Sequence, residues 1–192
     1  MPKSDFRFAN AETYTARMLG AAANLGFAPA VAEDLPPARV IAAKLMAHQV
    51  ASEATLLSIM SLQPASTLIF RDGGEVAGMV ATLLLRPEAE ADLKAGDFDG
   101  LTPSEALLAR GDDPVAFYYL WGLAGETKTA SGAAMELSRQ LRYEALAELT
   151  CYAVAATPIG RHVGITRLGM APVRHPDDNL LVSPPQLERI AA

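Results

Sequence analysis

The chain has 192 residues, 51% of them apolar, and carries 16 basic against 22 acidic side chains for a formal net charge of −6. That length buries one sizeable core without splitting, so a single domain over residues 1–192 is expected. No Lys/Arg cluster offsets the acidity, which excludes nucleic acid and anionic membrane as main partners, and the one cysteine, Cys151, excludes an internal disulfide.

The opening MPKSDFRFANAET lacks an apolar signal core, and the apolar stretches near 76–85 and 114–125 are too short to span a bilayer. A cytoplasmic protein is expected. Residues 11–26 have helical spacing, with Tyr14, Met18 and Leu25 on one face and Gly26 as a stop. Pro36-Pro37 then leads to a second helix over 38–56, where His48 shares a face with Ile41 and Leu45 and reads as a core or rim histidine rather than a base. Residues 66–85 form two β-rich runs around Asp72-Gly73-Gly74, a strong hairpin signal.

Residues 86–114 are an acidic insertion. It opens on PEAEADLKAGDFDG and continues in a short helix signalled by Thr102 as N-cap, Pro103 in the first turn, Glu105 completing a capping box and Gly111 as the end. The expectation is decoration of a sheet edge in preference to a lid over a site. Asp97-Phe98-Asp99-Gly100 lacks the further oxygen ligands of a calcium loop. His48, His162 and His175 show no ligand spacing, so no metal site is expected.

The most informative stretch is 115–137, VAFYYLWGLAGETKTASGAAMEL. Alternation puts Phe117, Tyr119 and Trp121 on one face of a strand and Tyr118 and Leu120 on the other. The strand breaks into a small-residue loop that opens an Ala-rich helix over 130–147. The first N–H groups of a helix have no intrahelical partner and sit at the positive end of its dipole, so this junction is suited to a phosphate-bearing ligand.

Two readings compete for the junction. GLAGETKT, from Gly122 to Thr129, nearly fits the GxxxxGK[ST] loop of nucleotide hydrolases, with Thr127 in place of the second glycine. The other reading rests on the chain beyond the helix: a β-rich run over 149–154, then ATPIGRHVGITRLGMAPV, a short helix ending at Gly169-Met170. In element order, residues 38–174 resemble the GNAT-type N-acetyltransferase superfamily. There a strand splays from its neighbour, a loop of pattern [RQ]xxGx[GA] opens a helix that binds the coenzyme A pyrophosphate, and a later helix ends in a Gly–apolar pair.

That resemblance implies a mixed α/β fold, a largely antiparallel twisted sheet flanked by helices, with a helical insertion between the third and fourth strands. It implies acetyl-CoA or another acyl-CoA as co-substrate, held by Leu123, Ala124, Gly125, Lys128, Thr129, Ala130, Ser131, Gly132, Ala133 and Ala134. Either Lys128 or Thr129 leads the loop pattern; Thr129 is preferred because Leu137 then falls at an apolar helix position. On this reading Gly132→Glu has a large effect on coenzyme binding.

The tyrosine that often serves the family as general acid would align near Gly164, where there is none, and the strand over 115–123 carries no carboxylate. Tyr152 as proton donor and Glu88 as base are the substitutes. The implied activity is acyl transfer to a small-molecule or peptide amine, and a homodimer is an allowed assembly. A non-catalytic acyl-CoA-binding protein of the same fold is the alternative, and the nucleotide hydrolase is the weaker third reading.

Overall fold

The computed structural model describes residues 9–46, 50–174, 176 and 179–186. Local chemistry starts most of its helices. Asn10 caps α1 (Ala11–Asn24), its side chain accepting from the Thr13 N–H at 2.9 Å. A short strand β1 (Phe27–Pro29) leads to α2 (Leu35–Leu45), and Ser52 then caps a separate helix α3 (Glu53–Leu62) by accepting from the Thr55 N–H at 3.0 Å. The single helix expected over 38–56 is therefore two. His48 lies outside the described residues.

The hairpin is as expected: β2 (Thr67–Asp72) and β3 (Glu75–Leu85) turn through Gly73 and Gly74 at φ 62° and 93°, a conformation that favours glycine at both positions. After the insertion come β4 (Phe117–Gly125), α5 (Lys128–Gln140) with a turn of π-helix at Leu141–Ala145, and β5 (Thr150–Val154). α6 (Pro158–Thr166), β6 (Ala171–Pro172) and β7 (Leu180–Ser183) complete the chain.

The seven strands form one sheet in the order β1-β2-β3-β4-β5-β7-β6, antiparallel except for the parallel β4–β5 pair. Helices cover both faces. Tyr14 and Met18 of α1 and Ala134 and Leu137 of α5 pack with Leu68, Val80, Leu84 and Tyr118 on one side. Ile41 of α2 meets Ile69 and Met79 on the other, while Ile59 of α3 meets Leu83, Phe117 and Tyr119 there. This is the mixed, largely antiparallel architecture expected, and the alternation along Phe117–Trp121 holds.

The insertion departs from expectation. Its helix is α4 (Ala89–Ala95), in the acidic stretch, and only a single 3₁₀ turn forms at Glu105–Leu107. The capping residues are engaged elsewhere: the Thr102 hydroxyl and N–H both turn to Asp99, and Glu105 accepts from Ser58 of α3. Tertiary partners took the side chains that would have started a helix.

One buried side chain ties the insertion to the sheet. Gln63 donates from Nε2 to the carbonyls of Leu84 and Ala109, both at 2.7 Å, and its Oε1 accepts from the Leu84 N–H at 3.0 Å. The end of α3 is thus stitched to the points where chain leaves β3 and returns from the insertion.

Candidate functional site

Where β4 and β5 run side by side, their pairing ends at Tyr119↔Tyr152, although β4 continues to Gly125. Beyond that point the strands part. At the parting β4 carries one extra residue: Leu120 pairs with Thr82 and Gly122 with Ala81, leaving Trp121 as a bulge. A bulge sharpens local twist and re-aims side chains, which is why such irregularities gather beside sites.

The gap is a cleft of about 610 Å³. Its floor is the free edge of Leu120–Gly125, one wall is α5 through Ser131, Ala134 and Met135, and the other is α6 through Ile159, Gly160 and Val163. The strand end and helix start are pressed together: a Cβ on Gly125 would stand 2.4 Å from the Ser131 nitrogen, and the Ser131 hydroxyl donates to the Gly125 carbonyl at 2.9 Å. Thr127 caps α5, accepting from the Ala130 N–H at 3.1 Å. This leaves the N–H groups of Lys128 and Thr129 as the open donors of the first turn.

The expected ligand residues divide. Leu123, Ala124, Gly125, Ser131 and Ala134 line the cleft. Lys128 and Thr129 stand exposed at the helix start, while Ala130 is buried and Ala133 half-buried against the core. Gly132 points to open space in the second turn and does not line the cleft. Glu126 pairs with Lys44 of α2 at 2.9 Å, and Lys44 lines the cleft mouth. The nucleotide-hydrolase reading fails on geometry. Gly122 and Gly125 are strand residues paired with Ala81 and Gly78, leaving two residues before the helix and no loop to wrap a phosphate.

On the other side of the bulge lies a second, inner cavity of about 200 Å³, which shares Met46, Trp121, Gly122, Val154 and Ala156 with the cleft. The insertion walls it through Gly96, Phe98, Gly100 and Leu101. Trp121 Nε1 donates to the Gly100 carbonyl at 2.6 Å, and Phe98 meets Tyr119 edge-on at 5.4 Å. The insertion is thus a wall of the site rather than decoration of an edge. Tyr119, on the strand face it shares with Phe117 and Trp121, lines this cavity, and burial pushes its hydroxyl up to about 12. Arg39 and Asn179 line it too and carried no sequence signal.

Tyr152 and Glu88 are brought to neither cavity. The Tyr152 hydroxyl donates to Glu90 of α4 at 2.7 Å, and Lys94 sits 2.9 Å from the same carboxylate. Hydrogen bonds from Lys94 and then Tyr152 hold Glu90 below its ordinary 4.5. Stability from this group is therefore present above the unfolded value and is lost as pH falls through the lowered folded one. Tyr152→Phe is expected to cost about 0.5–1.5 kcal/mol in urea unfolding at neutral pH, with a smaller difference in acid. Glu88 is exposed at the start of α4.

Among the described residues no Asp, Glu or His lines either cavity, and no cluster could hold a metal ion. His175 lies outside the described residues. His162 is exposed on α6, and Cys151 is buried with its thiol pushed up to about 11 by desolvation. No helix among the described residues is long and apolar enough to cross a membrane.

No family model matches the sequence, and no curated protein matches it. Two solved structures are similar in fold. Ard1 from Thermoplasma volcanium has a TM-score of 0.48 at 9% identity, over 81% of this chain and 93% of that one. A histone acetyltransferase HPA2 and related acetyltransferase from Corynebacterium glutamicum has a TM-score of 0.44 at 18% identity, over 83% of this chain and 96% of that one.

Proposed function

We propose that the protein is an acyl-CoA-dependent N-acyltransferase, with the cleft receiving the coenzyme and the inner cavity the amine. One observation carries the reading: a strand edge and a helix start converge on one cleft, and that cleft meets a second cavity at a bulge. Coenzyme A presents amide groups along its pantetheine arm and a pyrophosphate. The unpaired edge of Leu120–Gly125 suits the amides, and the N–H groups of Lys128 and Thr129, with Lys44, suit the phosphates. A Cβ at Gly125 would destroy that cradle.

When bound, the thioester supplies an activated acyl carbon: the amine nitrogen bonds to it, the C–S bond breaks, and the amine's proton passes to solvent as the thiolate is protonated. The chain's part is orientation of the two groups across the Trp121 bulge. Tyr119 carries the one side-chain hydroxyl lining the inner cavity among the described residues, and we assign it the protonation of the leaving thiolate. Ligand binding without catalysis is a second reading, favoured by the lack of a carboxylate or histidine in either cavity among the described residues.

Calorimetric titration with acetyl-CoA tests the reading, with magnesium ATP alongside. Micromolar binding of acetyl-CoA alone is expected. Ser131→Glu should weaken it by about tenfold or more, because it sets a charge against the pyrophosphate, whereas Gly132→Glu, outside the cleft, should weaken it less. Equal loss in both variants, or binding of ATP in place of acetyl-CoA, would overturn the assignment. Binding without turnover over a panel of amines would favour the second reading.

A further inference from the structure

The inner cavity has a chemical character of its own. Its walls are Leu56, Met79, Leu93, Phe98, Leu101 and Trp121, with the Tyr119 ring beside them. Arg39 is its one charged lining residue among those described, and that guanidinium is committed: Nε donates to the Ala51 carbonyl at 2.9 Å and Nη1 meets Glu53 at 3.0 Å. Among the described residues no carboxylate lines the cavity to receive a second or third cationic group.

Size narrows the class further. An apolar cavity of about 150 Å³ holds benzene, so about 200 Å³ has room for an aromatic ring and a short arm. The insertion walls the cavity on one side, and the Trp121–Gly100 hydrogen bond holds it there.

We infer that the amine is a small arylalkyl primary amine with no charge beyond its amino group, and not a polyamine or a peptide amino terminus. The ring packs among Phe98, Tyr119 and Trp121, and the arm reaches toward the bulge. The same apolar surroundings handle the proton. Desolvation disfavours the ammonium form, so the cavity takes up the neutral, nucleophilic amine without a carboxylate to deprotonate it. This deepens the acyl-transfer reading and rests on it for the amine's role, though not for its binding.

Trp121 is the chain's single tryptophan and lines both the cavity and the cleft, so its fluorescence reports occupancy of either, and substitutions confined to the inner cavity tell the two apart. In the full-length protein, 2-phenylethylamine should change that fluorescence saturably. It should bind about 10- to 100-fold more tightly than n-butylamine, spermidine or glycyl-serine, the ratio expected for burying a ring, and more tightly as pH rises from about 7 to 9. Gly100→Leu, which grows into the cavity toward the Tyr119 hydroxyl, should lose this response while still binding acetyl-CoA in calorimetry. Leu101→Arg, at an exposed lining position, gives the same test without risk to the core.

Spermidine or the dipeptide binding as tightly as phenylethylamine would overturn the inference. So would an unchanged response in both variants, or exclusion of phenylethylamine together with a marked preference for long-chain acyl-CoA, which would make the cavity an acyl pocket. Phenylethylamine binding in a protein that ignores every acyl-CoA would uphold the cavity's preference and reject the proposed reaction.

Discussion

Gly125→Ala is expected to lower stability by about 2–4 kcal/mol in urea unfolding and to weaken acetyl-CoA binding by about tenfold or more. The added methyl would lie 2.4 Å from the Ser131 nitrogen, 2.6 Å from its Cα and 2.7 Å from the Ala130 carbonyl carbon. All three are backbone atoms of the first turns of α5, so no side chain can rotate away, and the helix start must retreat from the strand. That retreat moves the open N–H groups of Lys128 and Thr129 and breaks the bond from the Ser131 hydroxyl to the Gly125 carbonyl. Gly132→Ala, in the second turn of the same helix, is the control. Its Cβ would meet nothing within 4 Å, so a helix-interior glycine replaced by alanine should gain about 0.5–1 kcal/mol. A Gly125→Ala protein as stable as the parent, with intact coenzyme binding, would show that the strand–helix junction does not shape the site.

Gln63→Ala should be as damaging without touching either cavity. The substitution leaves the Leu84 N–H and the Ala109 carbonyl without the partners that Gln63 supplies, in a region closed to water. Each orphaned buried group costs about 1–3 kcal/mol, so a total of about 2–5 kcal/mol is expected, or roughly 5–15 °C in Tm for a domain of this size. Gln63→Glu should do no better: it keeps an acceptor for Leu84 but sets a carboxylate against two carbonyls. Thermal unfolding of both variants decides the matter. A shift of under about 2 °C would mean that the insertion is anchored by its apolar contacts alone.

How far the residues foretell the structure depends on how local each signal is. The hairpin is legible because Gly73-Gly74 are demanded by the turn itself, and the alternation from Phe117 to Trp121 because it is a property of consecutive residues. The junction of strand and helix is legible for the same reason, although its capping by Thr127 rather than a glycine-rich loop is not. The break between α2 and α3 has a signal in Ser52 and Thr55 that helical periodicity overrides. The insertion misleads because Thr102 and Glu105 have partners distant in sequence or in competing turns, Ser58 and Asp99 among them. Tyr119, Arg39 and Asn179 meet only through the folded sheet, and nothing in their spacing draws them together. Glu88 and Tyr152 are chemically able groups near the right strands, but the fold places Glu88 at the start of α4 and turns Tyr152 toward that helix.

The three-residue ladder between β4 and β5 has a mechanical meaning. The seven strands are two leaves joined along a short seam: β1 to β4 carry α5, while β5, β7 and β6 carry α6, which packs on β7 with Gly164 against Leu181. The two walls of the cleft therefore belong to different leaves. Widening the cleft would flex the seam and leave the long β3–β4 ladder intact. A ligand spanning Ser131 and Gly160 would act as a clasp between the leaves, and the rigidity it imposes would reach the inner cavity through Trp121 and Val154, which stand on opposite sides of the seam.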